Sequence, residues 1–326
     1  MITIKHFAMA ALLLVGCSKK SNLENKDGDG TWGQQPALPT VTGQQTFYLD
    51  GDATYVNVMG NTQARTPNFP ALSVKKGFLR GYVADLSGKP LSGAYIGVRA
   101  TVGLSSRANA VTNANGYYEM QLPYGAIDFY AAGYQMDYGT AKAVVGLYPA
   151  DDSIIGFASE TGAVKNFVLQ SYGLANKADV ASHPSYSTSY FGGALLLDYG
   201  INWAGENYAE YLHEGDVIEF TLTPDGAGIF GENKSFTIHK TVGIGKLTIA
   251  NIPVGKYTVS AKINGVALKT TESGTNAGAF PAWGLKPSGT TGLATVMFTP
   301  IFQSSYETTP AHRGNWQSLT IRLQTQ

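Results

Sequence analysis

The 326-residue chain has one cysteine, Cys17, so no disulfide can form within it and its stability has to come from burial. Charge is scarce. Charged residues are 14% of the chain, and 23 Lys and Arg balance 23 Asp and Glu, which leaves no electrostatic footprint for a nucleic acid. The apolar run Phe7 to Val15 is shorter than the roughly 20 residues of a spanning helix, and no other segment is long and apolar enough to cross a membrane. Long stretches of Ala, Leu, Glu and Lys are missing, whereas Gly, Thr, Ser, Asn and Tyr abound; this composition favours strands and turns over helices.

Chemical motifs are missing too. There is no Gly-x-Ser-x-Gly elbow, no His-Glu-x-x-His helix and no Gly-rich loop leading into a helix. His183, His213, His239 and His312 are scattered, without ligand spacing. Asp27-Gly28-Asp29-Gly30 resembles the start of a calcium loop, but the position that needs a terminal Glu is Leu38. Asp198, Glu206, Glu210 and Glu214 form the densest acidic group, the one place where distant strands could bring paired carboxylates together. The reading is of a non-enzymatic chain with no catalytic residue, cofactor or metal.

What the chain does have begins at its start. Lys5 and His6 precede the apolar run, and Leu14-Val15-Gly16-Cys17 closes it. A basic start, a short apolar run and small residues make a secretory signal. Leu14, Val15, Gly16 and Cys17 resemble the lipobox of bacterial lipoproteins, of Bacteroidetes type. That resemblance implies removal of residues 1–16, lipidation of the Cys17 thiol and attachment to a membrane through acyl chains, which hold without a spanning helix. Ser18 after the cysteine resembles sorting signals that lack the Asp of inner-membrane retention. The implied address is the outer membrane, on its periplasmic face or at the cell surface.

Residues 17–76 read as the lipidated cysteine and a flexible tether. Ser18 to about Thr40 is polar and rich in Gly, Asn and Pro, unable to bury enough apolar surface to fold alone. Phe47-Tyr48-Leu49 and Tyr55-Val56-Asn57-Val58 flank Asp50-Gly51, a turn signal. They are either a hairpin packed on the first domain or more tether.

Alternation becomes clear at Phe78. Leu79 to Asp85 reads as a strand, Ala94, Ile96, Val98 and Ala100 alternate with Tyr95, Gly97 and Arg99, and Tyr118, Met120 and Leu122 alternate with Tyr117, Glu119 and Gln121 after the tight turn at Asn115-Gly116. Ile127, Phe129 and Ala131 follow, and Ala163 to Leu169 reads as a closing strand. Gly81-Tyr82-Val83, Gly88-Lys89-Pro90-Leu91-Ser92-Gly93-Ala94, Thr112 with Asn115-Gly116-Tyr117-Tyr118, Leu122-Pro123-Tyr124-Gly125 and Gly133-Tyr134 come in order. Together they resemble the carboxypeptidase regulatory-like family, a transthyretin-like β-sandwich, over residues 77–172. The resemblance implies a small sandwich without catalytic residues.

Residues 173–326 read as a second sandwich. Ile218, Phe220 and Leu222, Phe236 and Ile238, Val296 and Phe298, and Leu319, Ile321 and Leu323 all alternate. Gly245 to Val259 repeats the pattern of Gly116 to Phe129: apolar alternation, an apolar-Pro-x-Gly turn, apolar alternation again. Each copy reads as a hairpin unit. The fold class is therefore all-β, two tandem antiparallel β-sandwich domains.

Long inserts at 172–214, 270–292 and 303–315 interrupt the second sandwich, and loops of this length tend to carry function. They are aromatic-rich. Trp203, Tyr208, Trp283 and Trp316 are the candidate ligand contacts, as flat amphipathic surfaces for a sugar ring or a protein partner; the alternative is that these rings fill the sandwich core. The functional expectation is a membrane-anchored envelope lipoprotein with a non-catalytic binding or structural role. Two alternatives stand beside it: a carbohydrate-binding accessory protein of a glycan-uptake system, and an adhesin or fimbria-like subunit in which Phe47 to Val58 is a donated strand.

Overall fold

The computed structural model describes residues 30–62, 66–102 and 106–326. Cys17, the rest of the lipobox and residues 18–29 lie outside the described residues. The architecture is all-β, two sandwiches with little helix.

In the N-terminal sandwich one sheet runs Phe157–Ala158, Ala126–Tyr138, Tyr95–Ala100, Arg107–Val111, with Ala141–Gly146 folded back on Ala126–Tyr138. The other runs Ala163–Val164, Phe78–Asp85, Phe167–Leu169, Tyr148–Pro149, with Tyr117–Gln121 beside Phe78–Asp85. Leu79, Val83, Ile96, Val98, Tyr118, Ile127 and Phe167 meet between the sheets, all buried. The closing segment is two short strands, both parallel to Phe78–Asp85. Gly81 makes that approach possible: a Cβ there would lie 1.8 Å from the Lys165 carbonyl oxygen.

In the C-terminal sandwich a seven-stranded sheet contains Asn233–Thr241, Val217–Pro224, Lys256–Ile263, Ala294–Met297 and Gly284–Lys286 in that order, with Val266–Ala267 on Lys256–Ile263. Its hairpin turn, Asn264-Gly265, has φ of 48° and 82°, the left-handed pair that a two-residue turn between twisted strands requires. The facing sheet contains Lys246–Ile252, Gly193–Asp198, Ser318–Gln324 and Lys269–Ser273. Leu195, Phe220, Phe236, Ile249, Phe298 and Ile321 fill the space between.

Two expectations are corrected here. The repeated unit is not a hairpin in either half. Tyr117–Gln121 pairs with Phe78–Asp85, whereas Ala126–Tyr138 pairs with Tyr95–Ala100 in the opposite sheet. Lys246–Ile252 and Lys256–Ile263 likewise lie in different sheets. In both sandwiches the Pro-x-Gly turn is an arch from sheet to sheet. The local sequence pattern is the same for an arch and a hairpin, because inward alternation on each strand is all that it records.

The second correction concerns residues 30–62. Thr42–Leu49 and Tyr55–Asn57 do not pair with each other. Thr42–Leu49 joins the seven-stranded sheet, parallel to Asn233–Thr241. Tyr55–Asn57 joins the facing sheet, parallel to Lys246–Ile252. The chain therefore crosses one edge of the C-terminal sandwich and adds a strand to each sheet. Lys240, 1% exposed, reaches the turn between them and donates from Nζ to the carbonyls of Asp50 (2.5 Å), Gly51 (2.7 Å) and Thr241 (2.9 Å). Residues before this turn are also engaged. Trp32 packs on Phe69 and Tyr82 and donates its indole N–H to the Asn115 backbone and side-chain oxygens.

A continuous apolar cluster runs through both sandwiches. At their junction the Tyr138 hydroxyl donates to Gly255 O (3.3 Å) and accepts from Phe298 N (3.0 Å), and the Tyr138 ring lies 4.9 Å from that of Trp316.

Candidate functional site

Trp203 and Tyr208 share one loop. Ile201–Asn202 and Leu212–His213 pair parallel at its base. Asn202, 2% exposed, holds the loop from inside: its side-chain oxygen accepts from Tyr208 N (2.7 Å) and its amide donates to Tyr208 O (3.0 Å). The Glu206 carboxylate accepts from Trp203 N at 2.9 Å, while Glu206 N donates back to Trp203 O. Gly205, with φ of 86°, makes the tip. Trp203 is 47% exposed and Tyr208 58%. Tyr211 leans on Tyr208 with ring centroids 5.5 Å apart. Two exposed rings on a backbone fixed by side-chain-to-backbone hydrogen bonds can stack on a planar or pyranose surface with little entropy to lose.

Trp283 sits elsewhere, half-buried where the sandwiches meet. Its indole N–H donates to Tyr138 O at 3.2 Å, and Phe280 lies 6.1 Å away. Trp283 lines a hollow of about 480 Å³ with Gly139, Thr140, Pro281 and Met297. It also lines a second, with Val144, Phe280 and Phe302. Its position allows an apolar contact with a partner, but the polar edge of the ring is already committed.

Trp316 is not a ligand contact, and this expectation is corrected. It is 2% exposed, its indole N–H donates to Phe191 O at 3.0 Å, and it packs on Tyr138 and Phe298. The physical reason is local: beside Trp316 the 303–315 insert turns back onto the N-terminal sandwich instead of projecting into solvent. Asn315, just ahead of it, both accepts from Gly146 N and donates to Gly146 O (3.2 Å), standing in for a neighbouring strand. Thr309 O accepts from Ala132 N (3.0 Å), and Leu147 O accepts from His312 N (3.2 Å).

His312 completes this seam. It is buried against the Tyr148 ring, with Nε2 3.3 Å from the Asp152 carboxylate. Burial pushes its pKa below the ordinary 6.5, although Asp152 pulls the other way. Burial also opposes the charge on Asp152, but Lys177, Tyr148 and His312 outweigh it and hold that carboxyl below its usual range. No local sequence signal marks this cluster, because His312 and Asp152 come from different halves of the chain.

Three of the four carboxylates in the first insert's acidic group have structural partners. Asp198 pairs with Arg322 (3.6 Å), Glu206 caps its own loop, and Glu210 accepts from Gln324 (2.6 Å). Among the described residues, no His, Cys, Asp and Glu side chains gather as a metal site. Cys17, the expected lipidation site, lies outside the described residues.

No protein-family model and no curated protein matches the sequence. Among solved structures, the chain is similar to the TIE protein of Bacillus anthracis at 13% identity and a TM-score of 0.29, with 76% of this chain and 34% of that one covered. It is similar to a streptococcal ancillary pilin at 8% identity and a TM-score of 0.21 (74% and 62% covered) and to the major pilin of Streptococcus pyogenes at 9% and 0.19 (77% and 99%). The chain thus spans less than two thirds of the first two. Likeness of this degree carries no conclusion about function.

Proposed function

We propose that this chain is an envelope lipoprotein, held at the outer membrane by lipid on Cys17, with a non-catalytic binding or structural role. The lipobox motivates the anchor. The observation that supports a presenting role is how the chain enters the fold. Gly30, whose N–H donates to the Tyr82 hydroxyl (3.2 Å), and Trp32 pack on the N-terminal sandwich, and the chain then adds a strand to each sheet of the C-terminal one. In this reading residues 18–29 link the anchor to a unit whose halves share one core, so the unit is presented as a whole. The N-terminal sandwich is, in the same reading, of the carboxypeptidase regulatory-like kind. Labelling with a clickable fatty acid tests the anchor: the parent chain takes up label and fractionates with outer membrane, and Cys17→Ala loses both. Label on Cys17→Ala, or none on the parent, removes the reading. Protease shaving of whole cells separates surface display from a periplasmic position.

The exposed Trp203–Tyr208 loop favours a second reading, carbohydrate binding in a glycan-uptake system. Retention of the chain on insoluble polysaccharides, abolished by Trp203→Ala with Tyr208→Ala, is the outcome expected. Equal retention of parent and double variant sinks it. The assembly-subunit reading rests on donation of Phe47 to Val58, and that segment is engaged within its own chain.

A further inference from the structure

Thr42–Leu49 is the outermost strand of the seven-stranded sheet, and among the described residues nothing pairs with its far side. Its ladder with Asn233–Thr241 fixes which backbone groups face out. Asn233 N donates to Val41 O at 2.7 Å, and in a parallel ladder alternate residues bond inward. Gln45, Phe47 and Leu49 therefore bond to Asn233–Thr241, while the N–H and C=O of Gln44, Thr46 and Tyr48 point away from the sheet. Side chains sort by the same alternation: Gln45, Phe47 and Leu49 are half-buried, whereas Gln44, Thr46 and Tyr48 are exposed.

Exposed edges are ordinarily protected by lysine, proline, a bulge or a short strand. This one has eight residues, TGQQTFYL, without charge or proline. Its one kink, at Gly43 with φ of 87°, lies before Gln44 to Tyr48. The register with Asn233–Thr241 runs unbroken to Leu49.

We propose that this edge pairs with the same edge of a second copy of the chain, antiparallel, so that the two seven-stranded sheets become one. The two-fold lies at Thr46. Thr46 then faces Thr46 and Gln44 faces Tyr48, each as a hydrogen-bonded pair that uses the outward groups. No like charges oppose each other, the usual veto on self-pairing. The chain's net charge of zero adds no long-range repulsion between copies. The contact is isologous, so it consumes both edges and closes as a dimer instead of growing into a fibre.

The test is sedimentation equilibrium of the full chain in density-matched detergent, with a thiol cross-linking arm. The parent is expected to be a dimer. Thr46→Pro removes an N–H that the sheet does not use and loses about tenfold or more in self-association, with its melting temperature kept. Thr46→Lys, which sets two ammonium groups against each other at the two-fold, is expected to be monomeric and covers the case in which proline disturbs the strand. Thr46→Cys cross-links with a short bis-maleimide above the level of the parent, which carries Cys17 alike, and Tyr124→Cys, at an exposed turn, does not. A monomeric parent, a Thr46→Lys variant that stays dimeric, or equal cross-linking at 46 and 124 overturns the proposal.

Discussion

Trp316 and Trp203 come from similar stretches, irregular and aromatic, between strands of the C-terminal sandwich. Their surroundings differ completely. The 303–315 insert beside Trp316 lies against the N-terminal sandwich, where Asn315, His312 and Thr309 take up the backbone groups of Gly146, Leu147 and Ala132. Trp316 fills the seam with every face covered. The loop of Trp203 closes on itself: Asn202 bonds the Tyr208 backbone, Glu206 bonds the Trp203 backbone, and the rings are left outside. An insert that finds its polar partners on another domain buries its aromatics. One that finds them internally exposes them.

Four measurements break or sharpen this contrast. Trp316→Ala removes a buried indole and orphans the Phe191 carbonyl, so urea unfolding is expected to show a loss of about 3–5 kcal/mol. A loss under about 1 kcal/mol means that the seam is not a stabilising core. Asn315→Ala leaves the buried Gly146 N–H and C=O without a partner, and about 2–3 kcal/mol should go in the same assay. If the value is near zero, water replaces the amide.

The third measurement is a pH series of melting temperatures. The folded pKa of His312 is depressed, so its contribution is fully present above the ordinary 6.5 and is lost as pH falls through the folded value. Asp152, also depressed, adds its own loss only below its ordinary 3.8. The parent should therefore weaken between about pH 6.5 and about pH 4, before Asp152 contributes. Asn suits the left-handed backbone at 312 (φ 60°), so His312→Asn should flatten this limb. An unchanged limb assigns the acid loss to another group. The smallest effect is expected at the exposed loop. Trp203→Ala should change stability by less than about 0.5 kcal/mol, and a larger loss would show that the ring is part of the core after all.

Much of the strand placement was legible. Leu79 to Asp85, Tyr95 to Ala100, Ile218 to Leu222 and Phe236 to Ile238 lie within strands, with their apolar alternate residues buried, because period-two alternation is a local record of one covered face. Exposure of the candidate residues was legible in part. Trp203 and Tyr208 are exposed, as Gly205 at the loop tip suggests. Trp283 is half-committed to Tyr138, and Trp316 was misassigned because nothing near residue 316 records Gly146 or Phe191.

The sequence by itself therefore determined many of the strands and turns, though not Ala141–Gly146, Gly193–Asp198 or Lys269–Ser273, and that an all-β fold without disulfides has to be held by burial. These depend on neighbours a few residues apart. Only the tertiary structure decided that the Pro-x-Gly turns cross between sheets, that Thr42–Leu49 and Tyr55–Asn57 complete a sandwich almost two hundred residues away (Phe47 beside Ile238, Val56 beside Ile249), and that Trp316 is buried and Trp203 is not. Partner choice at a sheet edge and the fate of a loop are settled by closure of the whole core, and alternation along one strand is the same whichever partner wins.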